Sequence, residues 1–579
     1  MKRAQHVLPA AVGFLLGLLA LGPALGPGFV LSFDLVFVPH PPLSLGETAG
    51  PARAVPSDFV IALLARVAPV QFVEKLILLA IFTVACAGAA ALVSARWPER
   101  SWLGGVAAGV FYVWNPFVAE RLIMGQWALL LGYAGLPWVL REIACWPQAG
   151  RLRSGRFVVA LLPAAIGGFA AMSVTAIGAL PVALCGGGPA SARLRRFCVV
   201  LAVLLLASLP WVIPSFLVPV HADPNGANAF AARADTPFGA LGSLVMLGGI
   251  WNSQAVPAGY GGVAVSVAWL VVAVVALTGY VLAARPRRLC AGLGVAGILG
   301  FGIAALGTWR PTLDLLRSAI TFWPAFALLR DGQQFIAPLA LAEAAGLGAG
   351  VAALLALGEA REGQGSGAEP GSGSGAEPRS GARPGPGAEP GSGARPGSGA
   401  RPGSGARQAG AVLGVLAVLA PLVLLPGLAW GAFGRLRAVE YPADWLTAQA
   451  MLDSPAAGSG SVLLLPWAQY RRYPWNHDEP VFDPWPRFLS RPMIWNDALQ
   501  VGRTTVAAES ASARRLGPSI SSGRPLTSAL LSAGVRYVVV DAGPLLGRPR
   551  SQLPGLARLP GAMVLMASDD LIVFRLTAQ

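Results

Sequence analysis

The residues whose types and settings could do chemistry lie beside long apolar runs. Asp34 is the first of them. It sits within Gly28-Phe29-Val30-Leu31-Ser32-Phe33-Asp34-Leu35-Val36-Phe37-Val38-Pro39-His40, with apolar residues on both sides. A carboxylate in that company is costly unless it faces a polar cavity or a partner. A sequestered carboxyl holds a proton more tightly, which suits a general base at a cleft on a membrane surface. Simple solvation by headgroup water is the plainer alternative. His40 and Asp58 are candidate substrate contacts in the same loop. Ser57 and Asp58 can equally N-cap a short helix lying on the membrane, through the apolar stretch 59–67.

A second constellation is Trp114-Asn115-Pro116-Phe117-Val118-Ala119-Glu120-Arg121-Leu122-Ile123-Met124-Gly125-Gln126-Trp127. Pro116 breaks the helix, and the two tryptophans suit the membrane–water interface. Glu120 and Arg121 either pair with neighbouring helices, or Arg121 and Gln126 point into a cavity shared with Asp34. The third is Leu329-Arg330-Asp331-Gly332-Gln333-Gln334-Phe335, whose Arg330 can hold a lipid phosphate through charge-assisted hydrogen bonds. Ordinary headgroup contact competes with that role. Asp331 and Gln333 join it as candidate binding groups.

Other motifs are missing. The four histidines, His6, His40, His221 and His477, have no metal-ligand spacing with one another or with cysteine. A divalent metal held by other groups stays open as the one possible cofactor. The chain contains no Walker-type Gly-rich loop and no Gly-x-Ser-x-Gly nucleophile elbow. In the C-terminal region Trp467, Trp475, Trp485 and Trp495 recur among His477, Asp478, Asp483, Asn496 and Asp497. Ring faces beside carboxylates suit a sugar, but tryptophans packing a loop-rich core explain the pattern as well.

The elements that must position these residues follow from composition. Of 579 residues 55% are hydrophobic and 12% charged, with a mean hydropathy of +0.60. Apolar runs of roughly 20 residues recur, each long enough to cross about 30 Å of hydrocarbon. These features exclude a soluble enzyme and a secreted disulfide scaffold. The net charge of +15 is almost all arginine, since Lys2 and Lys75 are the only lysines. The basic residues fall in short loops without aromatic interleaving, which excludes a nucleic-acid partner. The five cysteines lie in or beside apolar runs, so no disulfide framework is expected.

Eleven spans are predicted: 7–26, 75–95, 102–116, 126–144, 157–171, 173–188, 197–219, 263–283, 290–308, 334–357 and 411–434. The first is expected as a retained helix rather than a cleaved signal. The pair 157–188 can be two short helices or a re-entrant pair, and either choice keeps the parity. A cytoplasmic N-terminus then places Arg96/Arg100, Arg151/Arg153/Arg156, Arg193/Arg195/Arg196 and Arg285/Arg287/Arg288 inside.

The expected organisation is a membrane domain over 1–357, with outer loops at 27–74, 220–262 and 309–333. A disordered Gly/Pro/Ser-rich cytoplasmic linker over 358–410 and a last span over 411–434 follow. An extracytoplasmic α/β domain over 435–579 completes the chain. In that domain 462–465, 535–540 and 571–576 read as strands, and 442–453 and 525–533 as helices. The fold class is thus an all-α polytopic membrane domain with a small α/β domain in the plasma membrane, its long loops outside.

The Asp34 loop, the Trp114–Trp127 block and Leu329-Arg330-Asp331-Gly332-Gln333 together resemble actinobacterial multi-pass proteins. Those proteins are similar to the membrane part of mycobacterial-type arabinofuranosyltransferases, within the GT-C superfamily. Gly534-Val535-Arg536-Tyr537-Val538-Val539-Val540 also resembles the external domain of related large membrane glycosyltransferase-like proteins. The resemblance implies a transferase that takes a polyprenyl-phosphate-linked sugar. Its acceptor would be an envelope glycan or glycolipid, among the membrane lipids of the outer face. Asp34 matches the position of the family's first-loop acid, which would deprotonate an acceptor hydroxyl. Arg121 and Arg330 would hold the phosphate leaving group. The acid commonly paired with it has no counterpart immediately beside Asp34, and the family's very large carbohydrate-binding extension is missing.

A non-catalytic lipid or glycan transporter, or an envelope-assembly scaffold, is the competing class. A transporter predicts ionisable residues midway along several spans. Here Glu343 is the main one, and charge gathers instead at the outer surface.

Overall fold

The computed structural model describes residues 4–43, 55–96, 102–146, 154–217, 222–284, 288–365, 404–541 and 556–577. A helical bundle carries a small α/β domain on one end. The helices are α1 (Ala4–Leu21), α2 (Val55–Leu64), α3 (Val70–Arg96), α4 (Trp102–Val113), α5 (Pro116–Ile123), α6 (Trp127–Ala144), α7 (Ser154–Cys185) and α8 (Ala190–Leu217). After them come α9 (Gly226–Ala229), α10 (Gly239–Val245), α11 (Val263–Ala284), α12 (Arg288–Ala305), α13 (Arg310–Phe322), α14 (Ala337–Gly365) and α15 (Ser404–Leu424). In lipid, helices gain little from the hydrophobic effect and associate through close packing of small residues. Gly104 of α4 abuts Gly348 of α14, and a Cβ on Gly346 would overlap the backbone of α11 at Ala276.

Among the described residues eight helices are long and apolar enough to cross a membrane, or nine if the bent pair 410–424 and 426–434 counts as one span. The sequence predicts eleven, and the difference arises in two places. The 18-residue α6 carries Arg141 and Glu142 near its end, and these lower its apolar content. The segment predicted as 157–171 and 173–188 is one element, α7, broken at Gly168 (φ 71°, ψ −145°). Its two arms both run along α6. Gly167 lies against Ala128, whereas Gly135 meets Ala160 and Pro163, and Gly178 meets Leu136. The chain therefore doubles back at Gly168.

The linker expected over 358–410 is helical at both ends, because α14 continues to Gly365 and α15 begins at Ser404. Its middle, 366–403, lies outside the described residues.

Among the described residues eleven strands complete the structure: β1 (Phe29–Val30), β2 (Ala438–Val439), β3 (Ser461–Leu465), β4 (Tyr470–Arg472), β5 (Pro480–Phe482), β6 (Met493–Ile494), β7 (Leu499–Val501), β8 (Thr504–Val506), β9 (Val535–Asp541), β10 (Met563–Ala567) and β11 (Leu571–Arg575). The main sheet has the order β10-β11-β9-β3-β6, with β3 parallel to both neighbours and β11 antiparallel to both of its own. Alternation along its strands divides the core. Val462, Leu464 and Val539 join the large cluster continuous with the membrane helices. Leu463, Leu465, Val538 and Val540 pack instead with Leu516, Ile520 and Leu530 of helices Ala511–Ser521 and Thr527–Ser532.

The C-terminal domain is sewn to the first loop of the bundle. Strand β1 pairs antiparallel with β2, Phe29 opposite Val439. Lys75 donates to the Gly28 carbonyl at 2.6 Å and to Glu74 at 2.9 Å, and Glu74 accepts the Val30 N–H. Tyr441 Oη donates to the Phe37 carbonyl at 2.9 Å, and Asn476 Nδ2 to that of Leu31 at 3.1 Å. These contacts fix the segment that holds Asp34.

Candidate active site

The site grows from a break in a membrane helix. Asn115 is extended, caps α5 by accepting the Val118 N–H at 3.0 Å, and is followed by Pro116 at the first helical position. This lets a buried eight-residue helix begin at the end of α4 and carry Glu120 and Arg121. The helix closes at Gly125, where φ is +70° and a Cβ would strike Ser32 and Leu35. Ser32 and Leu35 exchange both backbone hydrogen bonds, which makes a tight turn with Phe33 and Asp34 at its tip. Asp34 N–H donates to the Met124 carbonyl at 3.0 Å, so α5 and the Asp34 turn are one unit.

From Asp34 a polar chain runs inward. Gln126 Nε2 donates to Asp34 Oδ2 at 3.4 Å, and Arg121 Nη1 donates to Gln126 Oε1 at 2.5 Å. The Arg121 guanidinium grips Asp331 bidentately, at 2.9 and 3.0 Å, and its Nε donates to Gln333 Oε1 at 2.8 Å. Gln333 Nε2 in turn donates to Glu120 Oε2 at 3.1 Å. The carboxyl of Asp235 closes against that of Glu120, and burial pushes the Asp235 group above its ordinary 3.8. The Gly249 N–H opposes that rise by donating to it.

Six of the nine sequence-predicted residues thus meet: Asp34, Gln126, Arg121, Asp331, Gln333 and Glu120. Asp34 is half-buried, as a proton acceptor at a surface requires. Arg121 is different. Its side chain is 0% exposed and its donors are committed to Asp331, Gln333 and Gln126. In this arrangement it is the hub of the chain, its guanidinium already paired with protein groups.

Arg330 lies next door and faces the C-terminal domain. Its Nη2 pairs with Glu509 at 2.6 Å, and the guanidinium sits over the Phe230 ring at 5.1 Å. With 13% of its side chain exposed, it is the more accessible cation. Asp58 and His40 stand outside the chain. Asp58 falls in the first turn of α2 and contacts Arg487 at 3.5 Å, so it bridges to the C-terminal domain rather than contacting Asp34. Burial raises its carboxyl above 3.8, with Arg487 pulling the other way. His40 is exposed, and lines a cleft of about 540 Å³ with Arg66, Gln449, Asp453 and Ser490.

Among the described residues, no three His, Cys, Asp or Glu side chains gather as a metal set.

Trp475 and Trp485 pack against other rings. Trp485 is fully buried and stacks on Trp445 at 4.6 Å, and Trp475 stacks on Tyr473 at 4.9 Å. Sequence reasoning missed Tyr470, Glu509 and Asp235. Tyr470 Oη donates to Asp34 Oδ1 at 2.5 Å across 436 positions. No local spacing signals a contact of that kind.

No family model matches the chain, and none of the curated proteins matches it. Solved structures do. The cryo-EM structure of arabinofuranosyltransferase AftD from mycobacteria aligns with all of this chain and 40% of its own, at 15% identity and a TM-score of 0.61. The two share a polytopic helical fold. A mutant form of AftD aligns over all of this chain and 42% of its own, at 14% identity and a TM-score of 0.56. This chain therefore spans well under half the length of AftD. The likeness at these identities is one of fold.

Proposed function

We propose that the chain is a membrane glycosyltransferase that moves a sugar from a polyprenyl-phosphate donor to a cell-envelope glycan or glycolipid on the outer face. The observation that supports this best is the Asp34 carboxyl, half-buried where the bundle meets the C-terminal domain and backed by the Gln126–Arg121–Asp331 chain. Asp34 accepts the proton of an acceptor hydroxyl as that oxygen attacks the anomeric carbon. The bond from that carbon to the lipid phosphate breaks, and the phosphate leaves with the bonding electrons. Arg330 meets the phosphate in place of Glu509, and charge complementarity there lowers the barrier. Arg121 neutralises Asp331 and keeps Gln126 oriented. Charged groups collect at this end of the bundle, a distribution that suits surface chemistry better than a transport path.

The test is turnover of decaprenyl-phosphate arabinose and polyprenyl-phosphate mannose by purified wild type and Asp34→Asn, with envelope glycans as acceptors. Thermal melts would show that both proteins are equally folded. Removing a general base should cost roughly 100- to 10,000-fold. Unchanged turnover in the variant would remove Asp34 from the chemistry. Absence of transfer by wild type from every donor would favour the transporter or scaffold.

A further inference from the structure

We infer that Tyr470 of the C-terminal domain is a positioning residue for this reaction: its hydroxyl fixes the Asp34 carboxyl, so the site is complete only when that domain is docked. The inference rests on Asp34 being the base.

The geometry holds the carboxyl from two sides. Tyr470 donates to Oδ1 at 2.5 Å and Gln126 to Oδ2 at 3.4 Å. One donor comes from each domain, so neither half of the protein defines the orientation of the carboxyl alone.

Tyr470 is itself held to a backbone register that includes Asp34's neighbour. In the β4–β5 hairpin Tyr470 faces Phe482. Phe33 adds to the other edge of β5: its N–H donates to Pro480 at 2.6 Å, and its carbonyl accepts from Phe482 at 2.8 Å. Phe33 and Tyr470 meet ring edge to face at 6.1 Å. The sheet thus presents Tyr470 and the Asp34 turn in register.

The next residue ties that hairpin to the domain core. Arg471 is buried, pairs with Asp483 at 2.8 Å and with Asp541 at the end of β9, and donates to the Leu465 carbonyl at 3.1 Å. Movement of Tyr470 away from Asp34 would therefore need the main sheet to move with it.

Docking alone does not call for this hydroxyl. The β1–β2 pair, Tyr441 and Asn476 already join the domains. A phenol aimed at a half-buried carboxylate instead does what a general base needs, since misplacement by about 1 Å can cost on the order of 100-fold.

Tyr470→Phe keeps the ring and removes the donor. Its kcat should fall about 10- to 100-fold at unchanged KM and unchanged melting temperature. Tyr470→His, which restores a donor, should recover part of the loss. Because Tyr470 acts through Asp34, the double variant Asp34→Asn/Tyr470→Phe should be no slower than Asp34→Asn alone. A fully active Tyr470→Phe beside an inactive Asp34→Asn would overturn the role of Tyr470 and leave the base in place. So would losses that simply multiply in the double variant. A fully active Asp34→Asn, or no transfer by wild type, would overturn the underlying assignment of the base and this inference with it.

Discussion

Arg121 and Asp331, 210 positions apart, meet as a two-pronged ion pair with N–O distances of 2.9 and 3.0 Å. The arginine side chain is 0% exposed and the aspartate 22%. The pair joins the short helix α5 to the segment that leads into α14. A buried guanidinium deprived of its carboxylate is an uncompensated charge, and such losses run to about 3–5 kcal/mol. Asp331→Asn should therefore lower the melting temperature sharply, at the smaller end of that range because Asp331 reaches solvent. Arg121→Lys should behave similarly, since an ammonium cannot grip two oxygens and Gln333 at once. If Arg121 served as a phosphate ligand instead, Arg121→Lys would weaken donor binding while the melt stayed unchanged.

Arg330 gives the opposite expectation. Its partner Glu509 is 20% exposed and the arginine 13%, so both ends of the pair keep a path to solvent that the Arg121 side chain, at 0%, lacks. Glu509→Gln removes the negative charge that competes with a phosphate. Its donor KM should fall several-fold, whereas Arg330→Ala should raise it, each measured on protein that still melts cooperatively. Equal KM values in the two variants would place the phosphate elsewhere.

Asp235 predicts a pH dependence. Burial raises its carboxyl above the ordinary 3.8, so the folded protein binds that proton more tightly than the unfolded chain. The resulting stability is complete below 3.8 and is lost as pH rises through the higher folded value. As pH rises above about 4 the wild type should lose melting temperature more steeply than Asp235→Asn, which has no proton to lose there. Parallel slopes for the two proteins would show that Asp235 is not the group responsible.

Much of this architecture was legible because burial writes itself into apolar pattern. The strands predicted at 462–465, 535–540 and 571–576 appear as Ser461–Leu465, Val535–Asp541 and Leu571–Arg575. They are apolar on both faces because helices cover one and the membrane-side core the other. The hairpins β4–β5 and β7–β8 were not legible, since Tyr470, Arg471 and Arg472 carry no such alternation. Helix Ala511–Ser521 was hidden by Arg514, Arg515, Gly517 and Pro518. In the site, chemistry near the break at Asn115–Pro116 could be read locally, because a cap and a proline act over a few residues. Which charges would neutralise Arg121 could not. Asp331 and Asp34 are brought to that helix by the path of the whole bundle.

Gly125 tests whether that local geometry matters for function. Its φ of +70° is left-handed, and a Cβ there would overlap Ser32 O and Leu35 N, the two atoms that close the Asp34 turn. Gly125→Ala therefore pays twice, once in backbone strain and once by pushing the turn off α5. The strain alone costs about 1–2 kcal/mol, which a membrane bundle of this size should survive folded. The displaced turn should separate Asp34 from Gln126 and from Tyr470 together, because both hydrogen bonds depend on where the Ser32–Leu35 turn sits. Activity should then drop at least 10-fold while the protein still melts cooperatively, a disproportion set by the sensitivity of a base to its position. Ser32→Ala removes only the hydroxyl bond to the Ile123 carbonyl, 2.9 Å long, and leaves the backbone turn intact. It should therefore lose far less activity than Gly125→Ala. Equal losses in the two variants would mean that the side-chain bond, and not the close backbone approach at Gly125, places the carboxyl.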